Sequence, residues 1–487
     1  NHLVEIPYGA GARVEVVSSS SRTINLADHG ITNRIFPAQP SMPKSADPAS
    51  WPFVIDRSVY AGGRVAQDLA GIVDLGTLRS AHLGRVEISP VEYLPAQNRI
   101  VVHDQVRLRI VFDGADPALE QDFKARTYSP FFEGLYGKVE GYRGLHAQYP
   151  DRVRDVVTLV VVTPPQYAAQ MQTFVNWKIR RGFHTILAVT GTPEVGTTKE
   201  TIQTYLFGLY NNGTPQQPAP SFVIFVGDTD VMPTWLEAGD CTDRRYCAVD
   251  ADLMPDMYYG RLSCANPTQL QNILDKTLMY DQFTMPDPSY LARVTMIAGV
   301  DGTYGQVWAN GQINYGTSNY FNAAHGIQSQ THLYPASGSQ DAAIVAEVSQ
   351  GVAYVNYTAH GSETSWYDPA FSQTDVNGLQ NNGKYCLAVG NCCLTSHYDY
   401  SSECIAETFL RVANKGAIGY IGGSNSTYWD EDYYWGVGYR TSIVEHPVFD
   451  PLRMGAYDGL FHDHGEAMTQ WYVTNDALVF CGNLAVT

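Results

Sequence analysis

Val355-Asn356-Tyr357-Thr358-Ala359-His360-Gly361 and Ala388-Val389-Gly390-Asn391-Cys392-Cys393 are two apolar runs, each ending in reactive residues. Such runs suit strands that are buried on both faces of a sheet and open at their carboxyl ends. In an open α/β sheet, ligands bind beyond those ends. If the two strands are neighbours, His360 meets one cysteine of the Cys392–Cys393 pair across the sheet edge. A thiol beside an imidazole is a nucleophile beside its base, so the expected chemistry is that of a cysteine peptidase. Gly361 would let a substrate approach the backbone closely. Neighbouring side chains on a strand point to opposite faces, so only one cysteine can face His360. The pattern leaves open which one. A lone histidine is most often structural; two reactive ends on successive strands weigh against that reading here.

Outward from this pair, the chain from Asp155 onward alternates strand and helix. Val156–Val162 is a continuous apolar strand, and residues 165–181 read as a helix. Strands are expected at His184–Val189, Ser221–Gly227, Arg293–Gly299, Val352–Tyr357, Tyr385–Val389 and Ala417–Ile421, with helices such as Lys199–Tyr210 and Thr268–Phe283 between them. The series predicts an α/β fold with a mostly parallel sheet and helices on both faces. Length divides it into subdomains of about 155–285 and 286–487, the second carrying the Cys/His pair. Residues 1–150 differ. Alternating runs such as Ala12–Val17, Gly84–Ile88 and Val106–Phe112, punctuated by Gly, Pro, Asp and Asn, predict antiparallel β structure. Pro37–Pro52 reads as a long loop. Residues of about 115–154 form a connector rich in basic residues (Lys124, Arg126, Lys138, Arg143, Arg152, Arg154), a natural place for proteolytic nicking.

The charge narrows the partners. With 49 acidic against 31 basic residues the net charge is −18, which argues against nucleic-acid binding and against adhesion to an anionic membrane. No apolar run is long enough to span a membrane. The N-terminus lacks the basic and apolar regions of a signal peptide, so an exported protein would already have lost it. Eight cysteines are too few for a disulfide scaffold; Cys241 and Cys247 bracket a short loop and could pair after export.

Three acidic groups carry further candidates. Asp301 follows an apolar strand and could orient His360 as the third member of a triad; its plain reading is a helix cap. Asp250, Asp252 and Asp256, with Asp228 and Asp230 at the preceding strand end, offer carboxylates to a hard cation such as calcium, or simply form a solvated turn. Tyr428-Trp429-Asp430-Glu431-Asp432-Tyr433-Tyr434-Trp435 sets acids among aromatic rings. That suits a cationic side chain, or merely opens a helix.

His360-Gly361-Ser362-Glu363-Thr364, Gly390-Asn391-Cys392-Cys393 and the Tyr428–Trp435 run resemble the gingipains, secreted cysteine peptidases with a caspase-like fold, and among them the lysine-specific type. Glu194–Thr198, Val226–Val231, Leu278–Tyr280 and Thr284–Asp287 extend the likeness, in order, over about residues 155–487. The resemblance implies Cys393 as nucleophile, His360 as general acid/base and Asp301 as its orienting acid. It implies an oxyanion hole from the amides of Gly361 and Cys393. Asp432 would stand at the base of the S1 pocket, with Thr358 and Trp429 in its lining, giving cleavage after Lys. Asp228, Asp250, Asp252 and Asp256 would bind structural calcium with the Met254 carbonyl; the family pattern has Glu where Asp256 stands.

The resemblance also makes residues 1–150 an inhibitory prodomain, a partner of its own active site alongside protein and peptide substrates, and the protein a secreted or surface zymogen. A connector residue (Lys124, Arg126 or Lys138) is then expected to fill the Asp432 pocket until cleavage, with Lys138 the simplest self-cleavage point. The rivals are an Arg-specific enzyme, a sortase-type relative and an inactive calcium-stabilised adhesin.

Overall fold

Val157–Thr163 (β7), seven buried residues, runs through the middle of a four-stranded parallel sheet. The computed structural model describes residues 2–47, 49–144, 156–214, 217–250, 252–461 and 475–486. The connector's Arg152 and Arg154, and the side chain of Lys138, lie outside the described residues. Strands Phe183–Val189 (β8), Pro220–Val226 (β9) and Tyr258–Leu262 (β12) complete this sheet in the order β12-β9-β7-β8. Trp235–Glu237 (β10) and Asp240–Thr242 (β11) form a small hairpin beside it. The flanking helices follow from their sequences. Pro165–Arg180 starts on a proline and buries Tyr167, Met171, Phe174 and Val175 at helical spacing. Lys199–Asn211 is capped by Thr198 and buries Ile202, Leu206 and Tyr210.

The strands expected as one series fall into two sheets. The second is five-stranded and parallel, in the order β14-β13-β15-β19-β20. It is built from Arg293–Ala298 (β13), Gln328–His332 (β14), Tyr354–Thr358 (β15), Cys386–Asn391 (β19) and Ala417–Gly422 (β20). Its centre is the largest core of the molecule, with Val294, Met296, Val355, Tyr357, Ala388 and Val389 all buried. Between β15 and β19 lie three two-residue strands, Gly361–Ser362 (β16), Ser365–Trp366 (β17) and Phe371–Ser372 (β18). β15 and β19 pair directly, with Tyr354 opposite Leu387 and Thr358 opposite Asn391. His360 and Cys393 each follow two residues beyond that last pair, past the same edge of the sheet.

The strands within residues 2–113 pair antiparallel, and residues 26–69 are mainly loop, with a 3₁₀ turn at Leu26–His29 and a short helix at Arg57–Ala61. His2–Ile6 (β1), Ala70–Leu78 (β3) and Ala81–Ile88 (β4) form one sheet; Gly11–Asn25 (β2), Val91–Leu94 (β5) and Arg99–Asp113 (β6) form another. The β3–β4 hairpin plunges its tip into the α/β part. Arg79, with a left-handed φ of 50°, is wholly buried there. Its guanidinium donates to the carbonyls of Ala219 (2.9 Å), Pro220 (2.6 Å) and Asp256 (3.0 Å), between the rings of Phe132 and Tyr210. Arg79→Ala would strip three buried carbonyls of their donor. At about 1 kcal/mol for each net hydrogen bond, the change should cost about 3 kcal/mol. The measurement is the first transition in denaturant unfolding; an unshifted midpoint would mean the tip contributes nothing to holding the two parts together. Among the described residues, no helix is long and apolar enough to cross a membrane.

Candidate active site

The loop after β15 carries His360, and the loop after β13 carries Asp301. The ring nitrogen Nε2 of His360 lies 2.8 Å from Asp301 Oδ2. Asp301 also accepts the amides of Thr303 and Tyr304 at 2.8 Å each, so it caps the following turn and holds the histidine at once. Partial burial pushes its carboxyl up, but the bond from His360 and the two amides together hold it below the usual carboxylate range. The Trp429 indole and the His360 ring meet edge to face, 5.3 Å apart between centroids.

β19 ends at Asn391, and the bend and turn that follow it separate the two cysteines. Cys392 turns into the core, wholly buried, its Sγ 3.8 Å from Thr395 Oγ1. Burial pushes its thiol far above its ordinary range. It lies directly beneath Gly361: a Cβ there would come within 2.6 Å of Cys392 Sγ and 2.9 Å of the Cys393 carbonyl, so only glycine fits. Cys393 turns the other way. Its Sγ accepts the Thr427 amide at 3.2 Å and lies 3.6 Å from the Thr427 hydroxyl.

β20 leads through Thr427 into a short helix, Trp429–Val437, whose first turn is acidic as helix N-termini favour. Asp430 is taken by the Trp308 indole N–H. Asp432 is buried and faces a cation that sequence reasoning missed: Lys44. The Lys44 ammonium lies 2.5 Å from Asp432 Oδ2, with its side chain fully enclosed. It donates to the carbonyls of Ala359 (2.7 Å) and Asn391 (3.4 Å) and sits 4.5 Å from the Trp429 ring centroid. Lys44 sits in a turn closed by the Ala46 amide on the Pro43 carbonyl at 2.9 Å. Pro43 pairs with Tyr428 as an antiparallel bridge, and the Lys44 amide donates to the Thr427 carbonyl at 3.1 Å. Thr358 is near but indirect: its hydroxyl accepts from Gln312 Nε2 at 2.9 Å, and Gln312 in turn holds Asn391.

The expected plug of Lys124, Arg126 or Lys138 is therefore corrected to Lys44. Lys124 is buried far from the pocket between Glu5 (2.6 Å) and Glu120 (3.1 Å), and Arg126 donates to the Asn211 carbonyl. One signal could have found Lys44: it is the only basic residue of the loop Pro37–Pro52.

The residues expected to hold calcium make other contacts. Asp228 pairs with Arg411 at 2.7 Å, apart from the acidic loop. Asp252 accepts the amides of Thr77 (2.7 Å) and Met254 (2.8 Å); Asp256 accepts those of Arg79 and Val249, 2.8 Å each. Asp250 is exposed. Met254 faces Asp252 with its amide. Among the described residues, no three His, Cys, Asp or Glu side chains converge to hold a metal. Carboxylates already facing N–H donors from the β3–β4 hairpin do not fit a cation in this state. Cys241 and Cys247, the possible pair, are both buried and are not joined to each other.

Residues 153–478 match the family model for Peptidase family C25, and residues 2–125 match that of the C25 propeptide. Over its whole length the chain is 37% identical to Lys-gingipain of Porphyromonas gingivalis, and it spans 28% of that relative. A solved protease structure is 38% identical, with a TM-score of 0.63 over 68% of this chain and 72% of that one. The complex of Porphyromonas gingivalis RgpB pro- and mature domains shares the fold at 20% identity, with a TM-score of 0.55 over 68% of this chain and 74% of that one.

Proposed function

The chain belongs to peptidase family C25, and from that premise we propose that it is the latent form of a cysteine endopeptidase that cleaves after lysine. The observation that carries this reading is Lys44, held on Asp432 by its ammonium and on Thr427 by its amide. A lysine ammonium seated on that carboxylate is what a substrate side chain would present. Three oxygens, from Asp432, Ala359 and Asn391, surround a single nitrogen. A compact ammonium suits that cage better than a broad guanidinium.

In this proposal the Cys393 thiolate attacks the carbonyl carbon of the lysine residue, forming a C–S bond. The oxyanion is met by the amides of Gly361 and Cys393. His360, steadied by Asp301, passes its proton to the leaving amine, and then takes one from the water that hydrolyses the thioester. Asp432, with Trp429 against the aliphatic stem and Thr358 behind, selects the side chain. No step uses a cation at the acidic loop. The β-rich N-terminal part keeps the site closed until it is removed. Secretion belongs to the same proposal and rests on likeness to the gingipains alone.

The test is hydrolysis of matched Lys and Arg peptide reporters by the full chain, before and after nicking. Lys cleavage that appears on nicking and exceeds Arg cleavage supports the reading. Equal or greater Arg cleavage would make the enzyme Arg-directed, and cleavage of neither would make the chain a binding protein. A further outcome concerns Asp301. Asp301→Asn should lower kcat on the order of 10²-fold by loosening His360, with KM little changed.

A further inference from the structure

Thr427 touches both halves of the proposed machinery. Its amide donates to Cys393 Sγ at 3.2 Å, and its hydroxyl donates to Asp432 Oδ2 at 2.7 Å. Oδ2 is the same oxygen that receives the Lys44 ammonium at 2.5 Å. The main chain of Asp432 is fixed as well: its amide donates to the Tyr428 carbonyl, and its own carbonyl accepts Asn391 Nδ2 at 3.0 Å. The hydroxyl of Thr427 is thus the side-chain donor that settles how the Asp432 carboxylate is turned.

That orientation has a chemical consequence. An ammonium is a point charge and is satisfied by one carboxylate oxygen. A guanidinium binds a carboxylate best through two parallel bonds, one to each oxygen. A carboxylate held by one oxygen and presenting that oxygen to the pocket serves the first geometry and withholds the second.

We propose that Thr427 is a positioning residue for substrate selection: its hydroxyl pins the Asp432 carboxylate so that the pocket offers one oxygen to a lysine and denies the paired contact to an arginine. The inference rests on the lysine-cleaving reading above and deepens it. Gly423 belongs to the same arrangement, since a Cβ there would come within 2.9 Å of Thr427 Cγ2 and push it from its place.

The experiment uses the full chain nicked by bead-bound trypsin, which is then filtered away. Matched Lys and Arg reporters are assayed with wild type, Thr427→Val and Thr427→Ser. Valine keeps the size and the amide and removes the hydroxyl. A hydrogen bond to a charged group supports a change of about tenfold. The expected result is a Lys-to-Arg ratio of kcat/KM that falls about tenfold in Thr427→Val, chiefly through a higher KM for Lys. Thr427→Ser should restore the ratio to within about threefold. A loss of activity equal for both reporters, or a serine variant that behaves as the valine one, would overturn the inference while leaving lysine cleavage intact. Wild type cleaving neither reporter would overturn the peptidase reading, and this inference with it.

Discussion

Lys44→Ala should yield an intact chain that cleaves Lys reporters with no maturation step. The ion pair it removes is enclosed, and stripping one partner from a buried pair typically costs about 3–5 kcal/mol, because the other charge is left uncompensated. In the variant that cost falls on the closed state, since Asp432 can regain a partner only by admitting water or substrate. A loss of that size corresponds to a shift on the order of 10²–10³ in the balance between closed and open pocket. The initial rate of the uncut variant should exceed that of the uncut wild type by at least the lower figure. A gel run beside the assay must show the chain still whole. Lys44→Arg separates charge from fit: it should relieve latency only in part, because a guanidinium keeps the charge and loses the three-oxygen cage. If Lys44→Ala stays as silent as wild type, closure depends on the rest of the N-terminal part, above all on the β3–β4 tip.

The second large effect separates two adjacent thiols. Cys393→Ala should abolish hydrolysis, by a factor on the order of 10⁴ or more, as loss of a covalent nucleophile does. Cys392→Ala should keep activity within about tenfold and cost about 1 kcal/mol of stability, since it removes only a buried sulfur. The argument is positional. Cys392 Sγ is sealed beneath Gly361 with Thr395 as its partner, whereas Cys393 Sγ lies among the Thr427 groups beside the pocket. Activity that survives in Cys393→Ala and disappears in Cys392→Ala would reverse the assignment.

The strands of the α/β part were legible because burial on both faces leaves a continuous apolar run, and β7 and β15 are buried throughout. That the strands leading to His360 and Cys393 lie side by side followed from a single assumption, that successive apolar strands pair, which they do. β14 was missed because it is an edge strand of polar residues, Gln328–His332, with no periodicity to betray it. The split into two sheets was missed because pairing between strands leaves no mark on either strand alone.

The pocket shows the same boundary. Asp432 could be proposed from its aromatic setting, but its occupant could not. Proximity in sequence favoured the connector, where Lys124 in fact closes a local cluster with Glu5 and Glu120. What meets Asp432 is a turn of the long loop, bridged at Pro43 to Tyr428, and only the folded chain supplies that. The acidic loop carries a related ambiguity. Carboxylate spacing is the same whether the oxygens meet a cation or backbone N–H groups, and here the N–H groups come from a hairpin more than a hundred residues away.

That hairpin has a consequence for timing. The N-terminal part holds the α/β part at two remote points on one covalent piece, Arg79 near the start of β9 and Lys44 beyond β15 and β19. When either point lets go, the other keeps it close, at an effective concentration in the millimolar range, so rebinding outruns escape. Cutting the connector therefore does not by itself free the enzyme. Departure requires both grips to be open in the same interval, and its rate scales with the product of their separate openings. Activation should begin with a lag, and shortening that lag would need only one of the two grips to be weakened.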